Sequence, residues 1–149
     1  MSASYSTATL EDVPQLVELL GILFTQEHEL TPDPAKQERA LQLILANPSV
    51  ARIYVARDGS RLLGMVNIQR GISTAEGGPA AHLEDFVVRP ESRGKGIGGG
   101  LIRHAIEQSR KDGLLRLILL TDGDNVNAQR LYERAGFTRS GMLPMRLKL

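Results

Sequence analysis

The stretch HLEDFVVRPESRGKGIGGGLIRHAI, residues 82–106, decides how the rest of the chain is read. Leu83 to Val88 is an apolar run of strand length, Arg89 to Lys95 is a polar turn containing Pro90, and a glycine-rich helix opening follows. A strand that turns into a helix N-terminus builds an anion site. The first N–H groups of the helix have no partner within it and sit at the positive end of its dipole. Gly94, Gly96 and Gly98 remove β-carbons that would hold a pyrophosphate at a distance. Arg89, Arg93 and Lys95 add cations. Gly98, Gly99 and Gly100 are poor helix formers, each costing about 0.8–1 kcal/mol against alanine in a helix interior. A plain linker is the competing reading. Against it, Ile97, Leu101, Ala105 and Ile106 keep an apolar row at helical spacing, which a linker has no reason to do. The glycines therefore serve close approach, to a ligand or to a packed strand.

Gly94, Gly96 and Gly99 satisfy G-x-G-x-x-G, a weak signal alone. A dinucleotide site wants its strand to run straight into the first glycine, and here Arg89 to Arg93 intervene. The phosphate loop of ATPases wants Lys-Ser/Thr after its last glycine, where this chain has Leu101. A better match is R-x-x-G-x-G at Arg93, Gly96 and Gly98, after a strand that ends Val-x-Pro-Glu. Downstream lies N-x-x-A-x-x-L-Y-E-x-x-G-F, at Asn125, Ala128, Leu131, Tyr132, Glu133, Gly136 and Phe137. The two blocks, in this order, resemble the acetyl-coenzyme A signature of the GNAT superfamily of N-acetyltransferases, over residues 82–137.

The resemblance implies an α/β fold: a mixed, splayed central sheet of six or seven strands flanked by about four helices. In that fold the sheet halves part after the central strand and coenzyme A fills the gap, its pantetheine arm bonding like an extra strand. Carried onto this chain, the arm falls on the backbone of Phe86 and Val88, with Asn125 holding it from the neighbouring helix. The pyrophosphate falls on the backbone of Arg93, Gly94, Lys95, Gly96, Ile97 and Gly98. Tyr132 takes the family's position for the acid that protonates the departing thiolate. Acetyl-coenzyme A is implied as co-substrate, with no metal.

Length and composition bound the rest. With 149 residues the chain is read as one domain, 1–149, large enough for a layered core. Apolar residues make up 42% and charged residues 23%, ordinary for a globular protein. Eighteen basic against seventeen acidic side chains leave +1, so no nucleic-acid partner and no membrane surface is expected. The absence of cysteine excludes disulfides, thiolate metal sites and a cysteine nucleophile. His28, His82 and His104 lack metal-ligand spacing. With no long apolar run or cleavable leader, a cytoplasmic location is expected, and a homodimer is compatible with everything above.

Along the chain, Tyr5 to Ala8 reads as a short edge strand. Asp12 caps a helix whose face is Val13, Leu16, Val17, Leu20, Leu23 and Phe24, and Asp33 caps a second helix through Leu45. Ala51 to Arg57 and Arg61 to Gly71 form a β-hairpin around Asp58-Gly59. Gly71 to Pro79 reads as a polar loop and candidate lid. The run Leu114 to Leu120, LLRLILL, reads as a strand covered on both faces and parallel to the central one. Asn125 to Ala135 is a helix stopped by Gly136, and Phe137 to Leu149 has room for two more strands.

An amine attacking a thioester needs three things: a base for its proton, a donor for the developing oxyanion, and an acid for the leaving thiolate. The phenol of Tyr132 suits the last, its ordinary pKa near 10 lying close to that of a thiol; core packing on an amphipathic helix is the structural alternative. A backbone N–H of the central strand, at Val88 or its neighbour, suits the oxyanion. For the base, Glu84 and Asp85 are adjacent and so point to opposite faces of a regular strand. Glu84 then shares a face with Phe86 and Val88 and is assigned the role, directly or through water; Asp85 is assigned to stability. Glu27, His28 and Glu29 follow the first helix, where an acidic cluster would suit a cationic amine and a solvated helix end explains it equally well.

The expected activity is acetyl transfer from acetyl-coenzyme A to a primary amine of a small molecule or peptide. A non-catalytic coenzyme A or acetyl-coenzyme A binding module is the alternative and would need neither Tyr132 nor Glu84. A dinucleotide oxidoreductase domain with Asp122 on the ribose is the weakest rival.

Overall fold

The computed structural model describes residues 2–27 and 30–149. Nine elements follow in order: β1 (Ser4–Thr7), α1 (Val13–Gln26), α2 (Pro34–Ala46), β2 (Ala51–Asp58), β3 (Arg61–Ser73), β4 (Gly78–Val88), α3 (Ile97–Lys111), β5 (Leu117–Leu119) and α4 (Val126–Arg134). Short 3-10 turns at Leu10–Asp12 and Pro90–Ser92 lead into α1 and out of β4. The strands form one sheet in sequence order, antiparallel from β1 to β4 and parallel between β4 and β5.

Each face of the sheet carries its own core. Leu16, Leu19 and Leu20 of α1 and Leu41 of α2 pack with Ile53, Val55, Leu62, Met65 and Val87. On the other face Leu101, Ile102 and Ala105 of α3 and Tyr132 of α4 pack with Tyr54, Val66, Ile68, Ala81 and Leu83. The apolar row of the glycine-rich helix is thus core, with Ile97, Leu101 and Ala105 all buried. Helix starts follow the sequence signals. Asp33 Oδ1 accepts from the Lys36 N–H, and Pro34 sits at the first position of α2. Asp12 stands at the start of α1, but its carboxylate accepts from the Thr9 N–H and from the Arg57 guanidinium. Burial raises the pKa of Asp12; the hydrogen bonds to Arg57 and Thr9 outweigh it and bring it below the usual value.

Gly100 shows what one of the three successive glycines is for. A β-carbon there would overlap the hydroxyl oxygen of Tyr5, which reaches from β1 onto the first turn of α3. This position closes the fold between its first strand and its central helix.

Two expectations fail at the C-terminal end. The sheet has five strands among the described residues, not six or seven, and no strand forms over 137–149. Pro144 interrupts that stretch and cannot donate to a ladder. The edge strand β5 itself is only three residues long. Met142, Leu143, Met145, Leu147 and Leu149 are accordingly exposed. The run Leu114 to Leu120 is likewise not covered on both faces: Leu115, Ile118 and Leu120 are exposed, because nothing packs outside β5. The candidate lid at Gly71 to Pro79 is also smaller than expected. β3 runs to Ser73 and β4 begins at Gly78, leaving a tight turn that Ser73 helps close by accepting from the Gly77 and Glu76 N–H groups.

Gly100→Ala tests the Tyr5 contact. Helix propensity alone would stabilise the variant by about 1 kcal/mol, while overpacking costs about 1–3 kcal/mol. We expect a net loss in denaturant unfolding, recovered when Tyr5→Leu is added. A gain in the single variant would show that Tyr5 moves aside freely.

Candidate active site

The site begins where β4 leaves β5. Their pairing covers Ala81 to Leu83 against Leu117 to Leu119 and then stops. From there to Val88, β4 has β3 on one side and an open edge on the other. The break coincides with a bulge: Met65 pairs with Val87 but Asn67 pairs with Glu84, so Val66 faces both Asp85 and Phe86. Asp85 absorbs the extra residue at φ 53, in the left-handed region that side chains other than Asn and Asp rarely enter. Past the bulge, the Arg89 N–H donates to the Leu63 carbonyl at 2.7 Å. In an antiparallel ladder such groups alternate, so the backbone of Val88 turns away from β3 toward the open edge. Arg93 Nε donates to the Val88 carbonyl at 2.9 Å, which leaves the Val88 N–H as the donor facing the cleft.

At the end of that edge lies the helix opening. Gly94 and Gly96 take φ values of 76 and 80, and Gly96 is the N-cap of α3. Nothing lies within 4 Å of where their β-carbons would stand, so glycine is required there by conformation. The first α-helical bond runs from the Gly100 N–H to the Gly96 carbonyl. The N–H groups of Ile97, Gly98 and Gly99 precede it and are available to an anion. Gly98 is needed for packing instead. A β-carbon there would stand 3.1 Å from Phe86 Cζ and 3.2 Å from Leu131 Cδ1, so glycine lets α3 close against β4 and α4. Arg93 and Lys95 are exposed beside the turn. Arg89, counted with them from the sequence, is buried instead, its Nε on the Leu62 carbonyl and its guanidinium paired with Glu18 of α1 at 2.8 Å. It braces the sheet against α1.

Across the cleft stands α4. The Tyr132 ring meets Phe86 edge-on at 5.9 Å between centroids and Phe137 at 6.0 Å. Burial, and then the charge of Glu27, push its pKa up to about 12, so the phenol keeps its proton at neutral pH. Asn125 is the N-cap of α4, its Oδ1 accepting from the Ala128 N–H at 3.3 Å. Any contact from Asn125 to a ligand would fall to its Nδ2.

The two carboxylates do not divide as strand alternation implies. Phe86 packs on the α3–α4 face. Glu84 pairs across from Asn67, which shares the α1–α2 face with Met65 two residues before it. Glu84 therefore does not share a face with Phe86, and the extra residue of the bulge is the reason. Glu84 is exposed, and Asp85 is half-buried. Burial raises the Asp85 pKa, a hydrogen bond from Asn67 lowers it by less, and the neighbouring Glu84 adds a smaller rise. That bond runs from Asn67 Nδ2 to Asp85 Oδ2 at 3.4 Å. Asn67 itself is 1% exposed, and its Oδ1 has no partner. Sequence reasoning passed over Asn67; its signal was an amide inside the otherwise apolar run LLGMVNI of β3. Of the acidic stretch after α1, His28 and Glu29 lie outside the described residues, and Glu27 is near enough to act on Tyr132.

An open strand edge running into a helix N-terminus, with a buried phenol opposite, can hold an extended thiol-bearing arm and a pyrophosphate. Comparison with known proteins gives the family. Residues 13–137 match the acetyltransferase (GNAT) family, and the chain belongs to it. It is 36% identical over 91 residues to the mycothiol acetyltransferase of Geodermatophilus obscurus, covering 60% of this chain and 29% of that protein. It is 33% identical over 101 residues to the glucosamine 6-phosphate N-acetyltransferase of Trypanosoma brucei brucei, covering 67% of this chain and 66% of that one. The chain thus spans less than a third of the first relative's length and about two thirds of the second's. Among solved structures, an integron cassette protein from the mobile metagenome of Cole Harbour salt marsh superposes with a TM-score of 0.85 at 30% identity, over 97% of this chain and 90% of that one. Among the described residues, no group of three His, Cys, Asp or Glu is placed to hold a metal, and no helix is long and apolar enough to cross a membrane.

The raised Asp85 pKa has a consequence for stability. The unfolded chain loses this proton near pH 3.8 while the folded chain keeps it to higher pH. Asp85 therefore favours folding below that value, and its contribution falls as pH rises through the folded pKa. Asp85→Asn, which tolerates the same left-handed backbone, should gain on the parent as pH rises above about 4 in denaturant titrations. A constant difference across that range would contradict the shift.

Proposed function

We propose that the chain is an acetyl-coenzyme A dependent N-acetyltransferase acting on a primary amine of a small molecule or peptide. The observation that carries the reading is the open edge of β4 from Glu84 to Val88, running into the unpartnered N–H groups that open α3. The residues fit the co-substrate. The backbone of Phe86 and Val88 lies along the edge where a pantetheine arm would bond as a strand, and Asn125 holds it from α4. The turn from Arg93 through Gly94, Lys95 and Gly96 to Ile97 and Gly98 receives the pyrophosphate, with the Arg93 and Lys95 side chains exposed beside it.

Acetyl-coenzyme A, when bound, supplies a carbonyl already activated as a thioester. The chain supplies the rest. The Val88 N–H, turned to the edge by the ladder alternation, donates to the developing oxyanion. Tyr132 donates its phenolic proton to the departing thiolate. Its raised pKa keeps the proton in place until strong negative charge develops beside it. Glu84, exposed at the mouth of the cleft, passes the amine's proton to water. The names of the mycothiol and glucosamine 6-phosphate relatives favour a small acceptor, but acceptor loops are where such folds differ.

Thermal unfolding with ligands tests the co-substrate. A ligand at 100 times its dissociation constant adds about 2.7 kcal/mol; we expect stabilisation by acetyl-coenzyme A and coenzyme A, and none by NAD. Stabilisation by NAD alone would reject the reading. Catalysis is tested with Tyr132→Phe, which keeps the ring against Phe86 and Phe137. Turnover on an accepted amine should fall about 10²–10⁴-fold, with the affinity for acetyl-coenzyme A unchanged. Full turnover in a folded variant would return Tyr132 to a packing role and favour the binding-module reading.

A further inference from the structure

The first turn of α3 is built from residues poorly able to hold it. Gly98, Gly99 and Gly100 follow one another there, and glycine is, after proline, the poorest helix former. The bond that closes the turn runs from the Gly100 N–H to the Gly96 carbonyl. It must persist for the N–H groups of Ile97, Gly98 and Gly99 to stay aimed at one anion. Two sides of the turn are gripped from outside the helix. Gly98 lies against Phe86 and Leu131, and Gly100, on nearly the opposite side, lies against the Tyr5 hydroxyl. At Gly99 a β-carbon would first meet the Arg103 guanidinium, the flexible end of a side chain from the same helix. Tyr5 is itself held firmly. β1 pairs it with Ala56 of β2, and its ring stacks on His104 with centroids 6.0 Å apart and planes at 27°. His104 in turn meets Tyr54 edge-on at 5.4 Å. Gly100 and His104 are four residues apart on one face of α3, so the Tyr5 side chain lies along the helix and ends on the residue that donates the closing bond. Tyr5 also packs against the cluster of Ala56, Leu63, Val88 and Ile97.

We infer that Tyr5 is a positioning residue for coenzyme binding: from a strand outside the site it clamps the glycine turn, so that the turn's N–H groups are set for the pyrophosphate before the ligand arrives. This rests on the coenzyme A reading of the cleft and deepens it. A turn of glycines leaves room for a close ligand, but a ligand that must first order the turn binds more weakly, by the fraction of molecules in which the turn is already formed. Ordering could come from β-carbons within the helix. At Gly98, however, one would crowd Phe86 and Leu131, and at Gly100 one would overlap Tyr5. Tyr5 supplies the order from outside and puts no side chain at Gly99, between the two gripped sides. The clamp stands in β1, Ser4–Thr7, outside the stretch 13–137 that carries the family match.

The test compares the whole parent chain with Tyr5→Leu and with Tyr5→Leu carrying Gly100→Ala. Without ligand, exchange of the Gly100 amide, read by NMR, should quicken about tenfold in Tyr5→Leu while amides of the β2–β3 ladder keep the parent rates. By calorimetry, the Kd for coenzyme A should then rise about tenfold, as for a turn formed in about a tenth of the molecules. Pantetheine, the arm without its pyrophosphate, should bind parent and variant equally when followed by the shift of the Val88 amide. Adding Gly100→Ala fills the vacated space and restores helix propensity, so about fivefold of the coenzyme affinity should return. Tyr5→Phe keeps the ring on His104 and loses only the oxygen at Gly100; its Gly100 amide should also exchange faster than the parent's. Unchanged coenzyme affinity in Tyr5→Leu, an equal weakening of pantetheine, or no recovery in the double variant overturns the clamp and leaves the coenzyme reading standing. A parent that fails to bind coenzyme A removes that reading, and the clamp with it.

Discussion

The structure depends on one interruption: β4 keeps β3 along its whole length and loses β5 after Leu83. A central strand normally bonds on both edges, because unpaired backbone groups inside a fold are costly. Here the missing partner is not replaced by another strand, and several features keep the edge open. The bulge at Asp85 and Phe86 bends β4 away, the Phe86 ring against Tyr132 props the far wall, and Gly98 lets α3 approach closely enough to close the end. Arg93 anchors the strand's last carbonyl and so holds the glycine turn at the end of the edge. Each of these serves a gap shaped for an extended ligand.

Arginine–carboxylate pairs tie the sheet to its helices. Arg89 is buried with its guanidinium on Glu18 and its Nε on the Leu62 carbonyl, tying β3, β4 and α1 at the point where the strand leaves the sheet. Arg57 does the same between β1, β2 and the start of α1 through Ser6 and Asp12. At the other end, Asp112 at the C-terminus of α3 collects Arg52 and Arg70 from the sheet.

Much of this was legible in the sequence. The strand, glycine turn and helix over residues 82–106, the capping of α2 by Asp33, the hairpin around Asp58-Gly59 and the stop at Gly136 follow from local rules that tertiary packing did not override. What escaped was non-local. Nothing in Glu84-Asp85 announces a bulge, and one extra residue takes Glu84 off the face of Phe86 while Asp85 bonds to Asn67. Arg89 looked like its neighbours Arg93 and Lys95 because charge is visible in a sequence and a partner about seventy residues away is not. LLRLILL has the composition of a doubly covered strand, yet coverage depends on whether 137–149 pairs beside it, and Pro144 with a three-residue β5 leaves that stretch unpaired.

The central claim is that the open β4 edge and the first turn of α3 together bind coenzyme A. Amide hydrogen exchange read residue by residue by NMR, with and without coenzyme A, measures this directly. The Val88 amide and those of Ile97, Gly98 and Gly99 have no partner in the helix or sheet ladders, so they should exchange fast alone and become protected when the ligand binds. Protection confined to other amides, with these four unchanged at saturating coenzyme A, would contradict the account.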